Sequence, residues 1–553
     1  MINKINDGSK EPPTRLLLIN GKPKYYHTII IIKELKESRN SQLQIIEIEN
    51  NSTTKPNPAD YIHICVEYQE NKWDPLEKFS NFLKVNSKAI ADAKEIGLYI
   101  HFQPGKNWKD YTKKDLTQYK NFLKDISEIC GEKITQFAVI DKYDMETVYL
   151  TEDQDLDKLK DEIQSDIEYW KNLKVLDYCE SSIRSFPDVK LPDTLEQLNI
   201  GGGYALETLR GFKMPPNLKV LNAGHGAIHT LHDVKFPDSL EDLDLPENKI
   251  YFLDEVNFPP SLKNLDVSQN RLEDIRDVRW PRKLESLNLG FNPIESMKGT
   301  IFPQSIKRLE ISNMPSDSMA GVRFPDSLEV LNLHSSMTSP RGLKLPTHVQ
   351  TLILTGNGIV SINPLKVPPT CEVLYLNNNN IKTLNKVQLP TSLKELYIGD
   401  NLLTTLKNVS FPISLEVLDI ENDPESYEND KQIITLRDVV LPPNLKTLKL
   451  GYQGIRILEN YEFPKTLTNL SLAYNELKYI RNVKFPNLKL LDLGGNPELS
   501  TLDNIEVPES VTELRVSAEL LANLPAKVTE RANNNKLTIK QSAPKVVSYP
   551  MIL

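Results

Sequence analysis

Cysteine and long apolar runs are scarce in this sequence, and that scarcity excludes several classes of protein. The 553-residue chain has four well-separated cysteines and no Cys-x-x-Cys pair, so we expect neither a disulfide framework nor a zinc cluster. No run of about 18 uncharged apolar residues occurs, so we predict no membrane span. Residues 1–13 are polar and predict a flexible N-terminus without a secretory signal, which favours a cytoplasmic or nuclear location.

The motifs of catalysis and cofactor binding are also missing. The chain contains no phosphate-binding loop of the form GxxxxGK[ST]. His225, His229 and His232 are close in sequence but straddle a predicted turn, without a cysteine or carboxylate at metal-ligand spacing. No cysteine is flanked by a general base. We therefore predict a protein that is not an enzyme, with no catalytic residue, no cofactor and no metal site.

Positive charge is in deficit. The chain has 66 Lys and Arg residues against 75 Asp and Glu residues, a net charge of −9. Proteins that coat nucleic acid usually carry the opposite sign, because phosphate contacts supply most of their affinity. We therefore expect no nucleic-acid partner.

Glycine is also scarce beside proline, with 22 glycines and 37 prolines, which indicates a repeated structural role for proline. The phrase apolar–Pro–x–x–Leu–x–x–Leu–x–Leu defines sixteen units, mostly 22 residues apart, and a proline lies just ahead of the anchor in fifteen of them, all but the first. We call the apolar residue after Pro-x-x the anchor of its unit and number positions from it. The anchors are residues 173, 195, 218, 240, 262, 284, 306, 328, 349, 371, 393, 415, 445, 467, 488 and 511.

The apolar pattern of one unit predicts a short β-strand. Positions 0, +3 and +5 are apolar, as in Leu328, Leu331 and Leu333, and polar residues lie between the last two. A lone strand cannot bury this face, so neighbouring units must stack as a parallel ladder, about 4.8 Å per strand. Position +8 is asparagine in eight units, where a buried amide can satisfy backbone groups at a sharp bend. These are Asn248, Asn270, Asn292, Asn357, Asn379, Asn401, Asn475 and Asn496.

The unit that contains Leu374, Leu376, Asn379, Ile381 and Leu384 resembles the leucine-rich-repeat superfamily. The 22-residue length is similar to the short intracellular class typified by the protein phosphatase 1 regulator. The Pro-x-x-Leu motif is similar to repeats of bacterial effector proteins and of social amoebae. The resemblance implies an α/β fold, a leucine-rich-repeat solenoid with a curved parallel sheet, over residues 171–517.

The residues that flank each strand predict further packing. The residue before each proline is apolar, often Phe or Trp as at Phe258 and Trp280, which predicts a stack in the convex-side core. Position +1 alternates in charge over eight consecutive units, which predicts ion pairs between neighbouring strands and thus control of register. The alternating residues are Lys174, Glu196, Lys219, Glu241, Lys263, Glu285, Lys307 and Glu329.

Polar and aromatic residues at positions +2 and +4 predict a binding surface on the concave face of the sheet. Acids and amides occupy +4 in the first eight units, and an apolar and aromatic cluster follows. Such a cluster, bordered by acids, has the composition of an interface hot spot, although the tyrosines could instead merely cover neighbouring strands. The predicted partner-binding residues are Asp242, Asp244, Asp266, Glu310, Ile353, Tyr375 and Tyr397.

Residues 14–170 lack the proline phrase and alternate between predicted strands and helices. We predict strands at 15–20, 43–49, 62–67, 98–102 and 137–141. Helices are predicted from Asp74, from Thr112 and over about 155–170. Two interpretations stay open: a separate α/β domain, or longer helix-backed repeats that continue into the 22-residue array.

At the other end, residues 518–553 are predicted to form a cap and tail, with a short helix over 518–527 and a loosely attached tail from 532. A 422–430 insertion is predicted to form a loop.

Together these patterns favour a non-catalytic scaffold. It would bind a basic protein or peptide on an acidic face that has a central aromatic patch. The alternative is a substrate-recruiting adaptor of a complex such as a ubiquitin ligase, which docks through its N-terminal region. The oligomeric state is left open.

Overall fold

The chain divides into two compact units. The first comprises residues up to Leu206 together with 213–218, and the second comprises 207–212 together with the residues from Lys219 on. The structure, a computed structural model, describes residues 28–34, 43–49, 61–68, 95–102, 113–140, 161, 163–178, 184–185, 189–315, 319, 321–337, 340, 342–424, 433, 435–502 and 505–541.

The first unit is a sheet of seven strands in the order β2-β1-β3-β4-β5-β6-β7. All neighbours are parallel except β1 and β2, which are antiparallel. A long helix, α1 (Lys113–Cys130), and a single 3₁₀ turn (Gly131–Lys133) lie between β4 and β5 in the chain. The strands are β1 (Thr28–Glu34), β2 (Leu43–Glu49), β3 (Tyr61–Tyr68), β4 (Glu95–Phe102), β5 (Ile134–Ile140), β6 (Val175–Asp177) and β7 (Gln197–Asn199).

Most of the predicted elements of the first unit are present. The strands predicted at 43–49, 62–67, 98–102 and 137–141 are confirmed as β2 to β5, while β1 was not predicted. The helix predicted from Thr112 is confirmed as α1, whose Tyr119, Leu123 and Ile126 are buried. Residues 161 and 163–167 are helical, as predicted. The strand at 15–20 and the helix from Asp74 lie outside the described residues.

Helix-backed and short repeats share one sheet in the first unit. The register aligns Leu98 with Phe137, Phe137 with Leu176, and Leu176 with Leu198, and all four side chains are buried. Within this unit, strands of the longer units and of the first two 22-residue units thus pair in one sheet. Both interpretations of the N-terminal region stay predictions. The boundaries proposed at residues 14, 171 and 518 stay predictions.

The second unit is a ladder of parallel strands, each formed by positions +2 to +4 of one repeat. The register places leucine beside leucine at +3 from β9 to β20, as for Leu243 and Leu265, so the buried face continues from repeat to repeat. The predicted stacking is confirmed. The strands are β8 (Val220–Asn222), β9 (Asp242–Asp244), β10 (Asn264–Asp266), β11 (Ser286–Asn288), β12 (Arg308–Glu310), β13 (Val330–Asn332), β14 (Thr351–Ile353), β15 (Val373–Tyr375), β16 (Glu395–Tyr397), β17 (Val417–Asp419), β18 (Thr447–Lys449), β20 (Asn469–Ser471), β22 (Leu490–Asp492) and β23 (Glu513–Val516), and β19 (Ile457–Glu459) with β21 (Tyr479–Arg481) forms a separate parallel pair.

The asparagines at +8 join each repeat to the one before it, as predicted. Asn270 donates from Nδ2 to the Leu245 carbonyl at 2.9 Å and to the Val267 carbonyl at 3.1 Å. Its Oδ1 accepts the backbone N–H of Ile250 at 3.0 Å. Where asparagine is absent, other side chains make similar contacts: Gln453 donates to the Ile420 carbonyl and Ser336 to the Ile311 carbonyl. The ladder therefore continues through repeats that break the sequence pattern.

A second ladder, which was not predicted, lies just before the strands. The N–H of the anchor Leu262 donates to the carbonyl of Pro259 at 3.2 Å, so the proline begins a tight turn. The hydroxyl at position −1 then donates to the anchor carbonyl of the preceding repeat, as from Ser305 to Leu284 at 2.7 Å and from Ser414 to Leu393 at 2.7 Å. The predicted aromatic stack is confirmed for Phe258 with Trp280, but these two rings are only partly buried.

The C-terminal prediction of one helix and a loose tail is wrong in part. Two short helices form, α2 (Ala518–Leu521) and α3 (Ala526–Asn533), and β24 (Thr538–Gln541) then pairs in parallel with β23. Arg531 of α3 is buried and donates to the Val511 carbonyl at 2.7 Å, so it caps the last repeat.

Most of the 422–430 insertion lies outside the described residues. No helix in the described part of the chain is long and apolar enough to cross a membrane.

Candidate functional site

The predicted binding residues share one side of the second-unit ladder. In each strand the +3 leucine points into the core, so the side chains at +2 and +4 lie on the opposite side, which we call the outward strand face. In β16, Leu396 is fully buried while Glu395 and Tyr397 are partly exposed. The same pattern holds from β9 to β12, where the predicted acidic residues lie.

Three carboxylates converge on β9 and β10. The register places Asp244 directly beside Asp266, and Asp242 precedes Asp244 on the same outward strand face. Burial, followed by the charges of Asp266 and Asp242, raises the pKa of Asp244 to about 6. Asp266 accepts hydrogen bonds from the Ser268 N–H at 2.8 Å and from Asn288 Nδ2 at 2.9 Å.

The fourth predicted acid, Glu310, lies two strands further along on β12. It is next to Asn288 in the register and accepts a hydrogen bond from the Ser312 hydroxyl at 3.0 Å. Burial raises the pKa of Glu310, and the charge of Asp266 adds to the effect. The structure thus brings the four acids onto one continuous surface.

Tyr375 and Tyr397 form a stacked pair on β15 and β16. Their ring centroids are 4.5 Å apart and the ring planes differ by 9°. The Tyr397 hydroxyl donates to Glu395 Oε2 at 2.8 Å. Burial is the main cause that raises the pKa of both phenols, and the charge of Glu395 adds to it, so both stay neutral at pH 7. Each ring is half-buried, which leaves part of the pair accessible.

Ile353 does not contribute to this accessible surface. It lies beside Tyr375 in the register of β14 and β15, as predicted, but its exposed fraction is only 3%. Its other neighbour at +4 is Asn332 on β13. The expectation that Ile353 is an exposed anchor is therefore wrong. It can support the tyrosine pair only from the side.

A charged pair borders the tyrosines on the other side. Asp419 follows Tyr397 in the register, and Lys449 on the next strand donates to Asp419 Oδ2 at 2.8 Å. The positive charge of Lys449 is therefore already offset within the chain. The tyrosine pair lies between this ion pair and the acids of β9 to β12.

Charges at +1 form ion pairs in at least four places, two within the predicted alternating run and two beyond it. The lysine Nζ lies 2.7 to 2.9 Å from the glutamate of the preceding strand in each case. All four pairs are exposed to solvent, so each adds little to stability. The pairs are Lys263–Glu241, Lys307–Glu285, Lys394–Glu372 and Lys446–Glu416.

The sequence did not predict a second tyrosine pair at position +7. Tyr452 and Tyr474 stack with centroids 4.6 Å apart and planes 1° from parallel. Both have positive φ, as do the +7 residues of most repeats, including Phe291 with φ +57°. Residue type varies at +7, so only the backbone geometry reveals this row of left-handed residues.

In the described part of the chain, several of the groups considered for chemistry have acidic neighbours or are buried. Among the described residues, no cluster of three His, Cys, Asp or Glu side chains could hold a metal ion. His225 instead lies 2.9 Å from Glu247, and His232 lies 3.1 Å from Glu255. Burial raises the pKa of the Cys371 thiol to about 12, which disfavours the nucleophilic thiolate.

No protein-family profile and no curated protein matches this chain. Solved structures that are similar include YopM, a leucine-rich effector protein from Yersinia pestis (21% identity, 73% of this chain, 99% of that chain, TM-score 0.48). CroV588, a circular leucine-rich-repeat protein, is 17% identical over 86% of this chain and 69% of that chain, with a TM-score of 0.45. The internalin InlF from Listeria monocytogenes is 18% identical over 62% of this chain and 85% of that chain, with a TM-score of 0.36.

These likenesses are too weak to transfer a function, and the ladder itself identifies the fold. Anchors recur mostly every 22 residues, and their strands pair in parallel with leucine beside leucine. Buried asparagines close the turn after the strand, as Asn379 does. The chain has the leucine-rich-repeat fold.

Proposed function

We propose that this chain is a non-catalytic scaffold that binds a protein or peptide on its outward strand face. The observation that carries the proposal is the half-exposed stacked pair of Tyr375 and Tyr397, on a face whose other side chains are mostly polar. Tyrosines that offer a flat ring and a polar tip are enriched among residues that dominate binding energy. The stacked arrangement also fixes both rings before a partner arrives, which lowers the entropic cost of binding.

The charges on the same face suggest the chemistry of the partner. Asp242, Asp244 and Asp266 form a concentrated negative surface on β9 and β10, and Glu310 extends it toward the tyrosines. A partner with lysine or arginine next to an apolar or aromatic side chain would match both features. Burial raises the pKa of Asp244 most, and repulsion from Asp266 and Asp242 adds to it. A bound cation would offset that repulsion, because it favours the ionised carboxylate.

The test is quantitative affinity capture from intact cells with the tagged full-length chain. The double variant Tyr375→Ala with Tyr397→Ala is expected to reduce partner recovery at least tenfold, as hot-spot losses of about 2 kcal/mol imply. The matched control is Tyr251→Ala with Phe252→Ala, which removes two exposed aromatic residues away from the outward strand face. Unchanged recovery with the tyrosine variant, or equal loss with the control, would show that this face is not the binding surface.

The same experiment tests the adaptor hypothesis. If the chain recruits substrates to a ubiquitin ligase, ligase subunits would be captured in a manner that depends on residues 14–170. Such subunits would persist in the tyrosine variant while substrates are lost. If no ligase subunits are captured with the unaltered chain, the scaffold hypothesis is favoured over the adaptor hypothesis.

A further inference from the structure

A row of basic side chains in the second unit lies just before the prolines that precede the strands. In the seven units whose anchors run from Leu240 to Cys371, the residue two places before the proline is never acidic and is basic in five. All five are exposed. We call this set the basic row; it comprises Lys235, Arg279, Arg323, Lys344 and Lys366.

Among the described residues, the basic row lacks the ion pairs that lysines at position +1 of four repeats make. The +1 lysines of β10, β12, β16 and β18 each contact a glutamate. Arg276, which is not at position +1, also forms an ion pair, with Asp274. By contrast, no ion pair or side-chain hydrogen bond joins a member of the basic row to any other residue that the structure describes. Five cations in a net acidic chain are thus left open to solvent.

The aromatic residues next to the basic row give the distance between consecutive repeats on this side of the unit. Phe258 and Trp280, which occupy the next position in consecutive repeats, have ring centroids 6.4 Å apart. An extended peptide advances about 3.3 Å per residue, so side chains on one of its faces recur about every 6.6 Å. One repeat step therefore matches two residues of an extended chain.

We propose that the basic row binds an acidic peptide segment in extended conformation, whose carboxylates lie two or four residues apart to match basic side chains one or two repeats apart. Each basic side chain would meet one carboxylate, and arginine at 279 and 323 can bind it through two parallel hydrogen bonds. The partly exposed Trp280 and Phe324 behind the row offer apolar contact to the intervening residues of the peptide. This surface is separate from the outward strand face, so the proposal does not depend on the function proposed above.

A peptide fits the row better than nucleic acid or a membrane does. Duplex binding usually requires a broad basic surface and a positive net charge, whereas here the positive charge forms one line on a chain of net charge −9. Attraction to anionic lipid likewise grows with the number of clustered basic residues that reach the surface together. The acids of the outward strand face do not prevent binding, because charges beyond about 8 Å are screened at physiological ionic strength.

The test is fluorescence anisotropy with a labelled peptide of alternating glutamate and threonine, about 14 residues long to span the seven repeats at two residues per repeat. The triple variant Arg323→Glu, Lys344→Glu and Lys366→Glu is expected to weaken binding more than tenfold. The control carries the same change of charge at exposed lysines outside the row: Lys249→Glu, Lys382→Glu and Lys536→Glu. It is expected to change binding less than threefold.

A second peptide tests the spacing itself. A peptide of the same composition with its glutamates in one block and its threonines in another is expected to bind several-fold more weakly. The proposal is overturned if the unaltered protein binds neither peptide, if both peptides bind alike, or if the row and control variants lose the same affinity. Tighter binding of a single-stranded oligonucleotide or of anionic vesicles, lost in the row variant, would also overturn it. Thermal melting of each variant checks that the fold is retained.

Discussion

The side-chain amide of Asn379 completes the backbone of the preceding repeat at Ile359. Its Oδ1 accepts the Ile359 N–H at 2.9 Å, and its Nδ2 donates to the carbonyls of Leu354 and Leu376, each at 2.9 Å. One buried side chain thus satisfies backbone groups in two successive repeats. The stability of each turn therefore depends on the repeat that follows it.

Replacement of Asn379 by alanine is expected to lower the free energy of unfolding by about 3 kcal/mol, because buried backbone groups lose their partners. The measurement is the midpoint and slope of urea unfolding followed by circular dichroism. Asn380→Ala is the matched control, since this neighbouring asparagine is exposed and should change stability by less than about 0.5 kcal/mol. Similar losses in the two variants would contradict the role assigned to the ladder.

The left-handed backbone at position +7 makes Phe291 a site for stabilisation. Its φ is +57° and its side chain is 54% exposed, so little packing offsets the steric cost of this conformation. Phe291→Asn is expected to raise the free energy of unfolding by about 0.5–1 kcal/mol, since asparagine tolerates this region better.

The control for this prediction is Phe252→Asn, at a similarly exposed phenylalanine that lacks a positive φ. It should give no gain in stability. Thermal melting of both variants under identical conditions decides the matter, and an equal shift in both would show that lost surface hydrophobicity, rather than backbone strain, is responsible.

The acidic surface predicts that stability increases on mild acidification. The pKa of Asp244 rises from an ordinary value of 3.8 to about 6 on folding, so the folded chain binds a proton more tightly than the unfolded chain. Its contribution to stability is therefore present below pH 4 and is lost as the pH rises through 6. For this partly exposed group the difference is about 1 kcal/mol.

The variant Asp244→Asn should be more stable than the unaltered chain at pH 7 and should lose much of the pH dependence between pH 4 and pH 7. Urea unfolding at several pH values measures both effects. Asp254→Asn, at an exposed carboxylate away from the cluster, is the control and should leave the profile unchanged. A profile for Asp244→Asn that parallels that of the unaltered chain would refute the assignment.

The +1 charges predict a salt-dependent effect on stability. Lys394 lies between Glu372 and Glu416 on the neighbouring strands, and it pairs with Glu372 at 2.8 Å. Lys394→Glu would place three acids in a row and is expected to lower the free energy of unfolding at low salt, and to lower it less in 1 M salt because of screening. Adding Glu372→Lys to this variant should restore part of the loss. A cost that does not change with salt would indicate a packing effect instead.

Agreement between prediction and structure is closest where the repeat dictates local geometry. The spacing of the anchors predicted strands at +2 to +4, and the structure has a strand there in all sixteen units. Alternating charges at +1 predicted neighbours such as Lys263 and Glu241, which pair at 2.7 Å. These inferences succeed because parallel stacking in register places equal positions side by side, whatever the curvature of the ladder.

Exposure along the outward strand face could not be predicted in the same way. Ile353, Tyr375 and Tyr397 occupy equivalent positions, yet the first is buried and the other two are partly open. The burial of each side chain depends on its neighbours on adjacent strands, which a repeat pattern does not encode. The same applies to β24, whose short polar sequence carries no repeat signal although it pairs with β23.

The sequence alone determined the number of repeats, the strand within each one, the buried leucines and the asparagine ladder, because each follows from a period that recurs along the chain. Only the tertiary structure decided which outward side chains are accessible, that +7 is left-handed, and that the basic row is unpaired among the described residues. Those properties depend on contacts between side chains of different repeats. Such contacts exist only once the repeats are stacked.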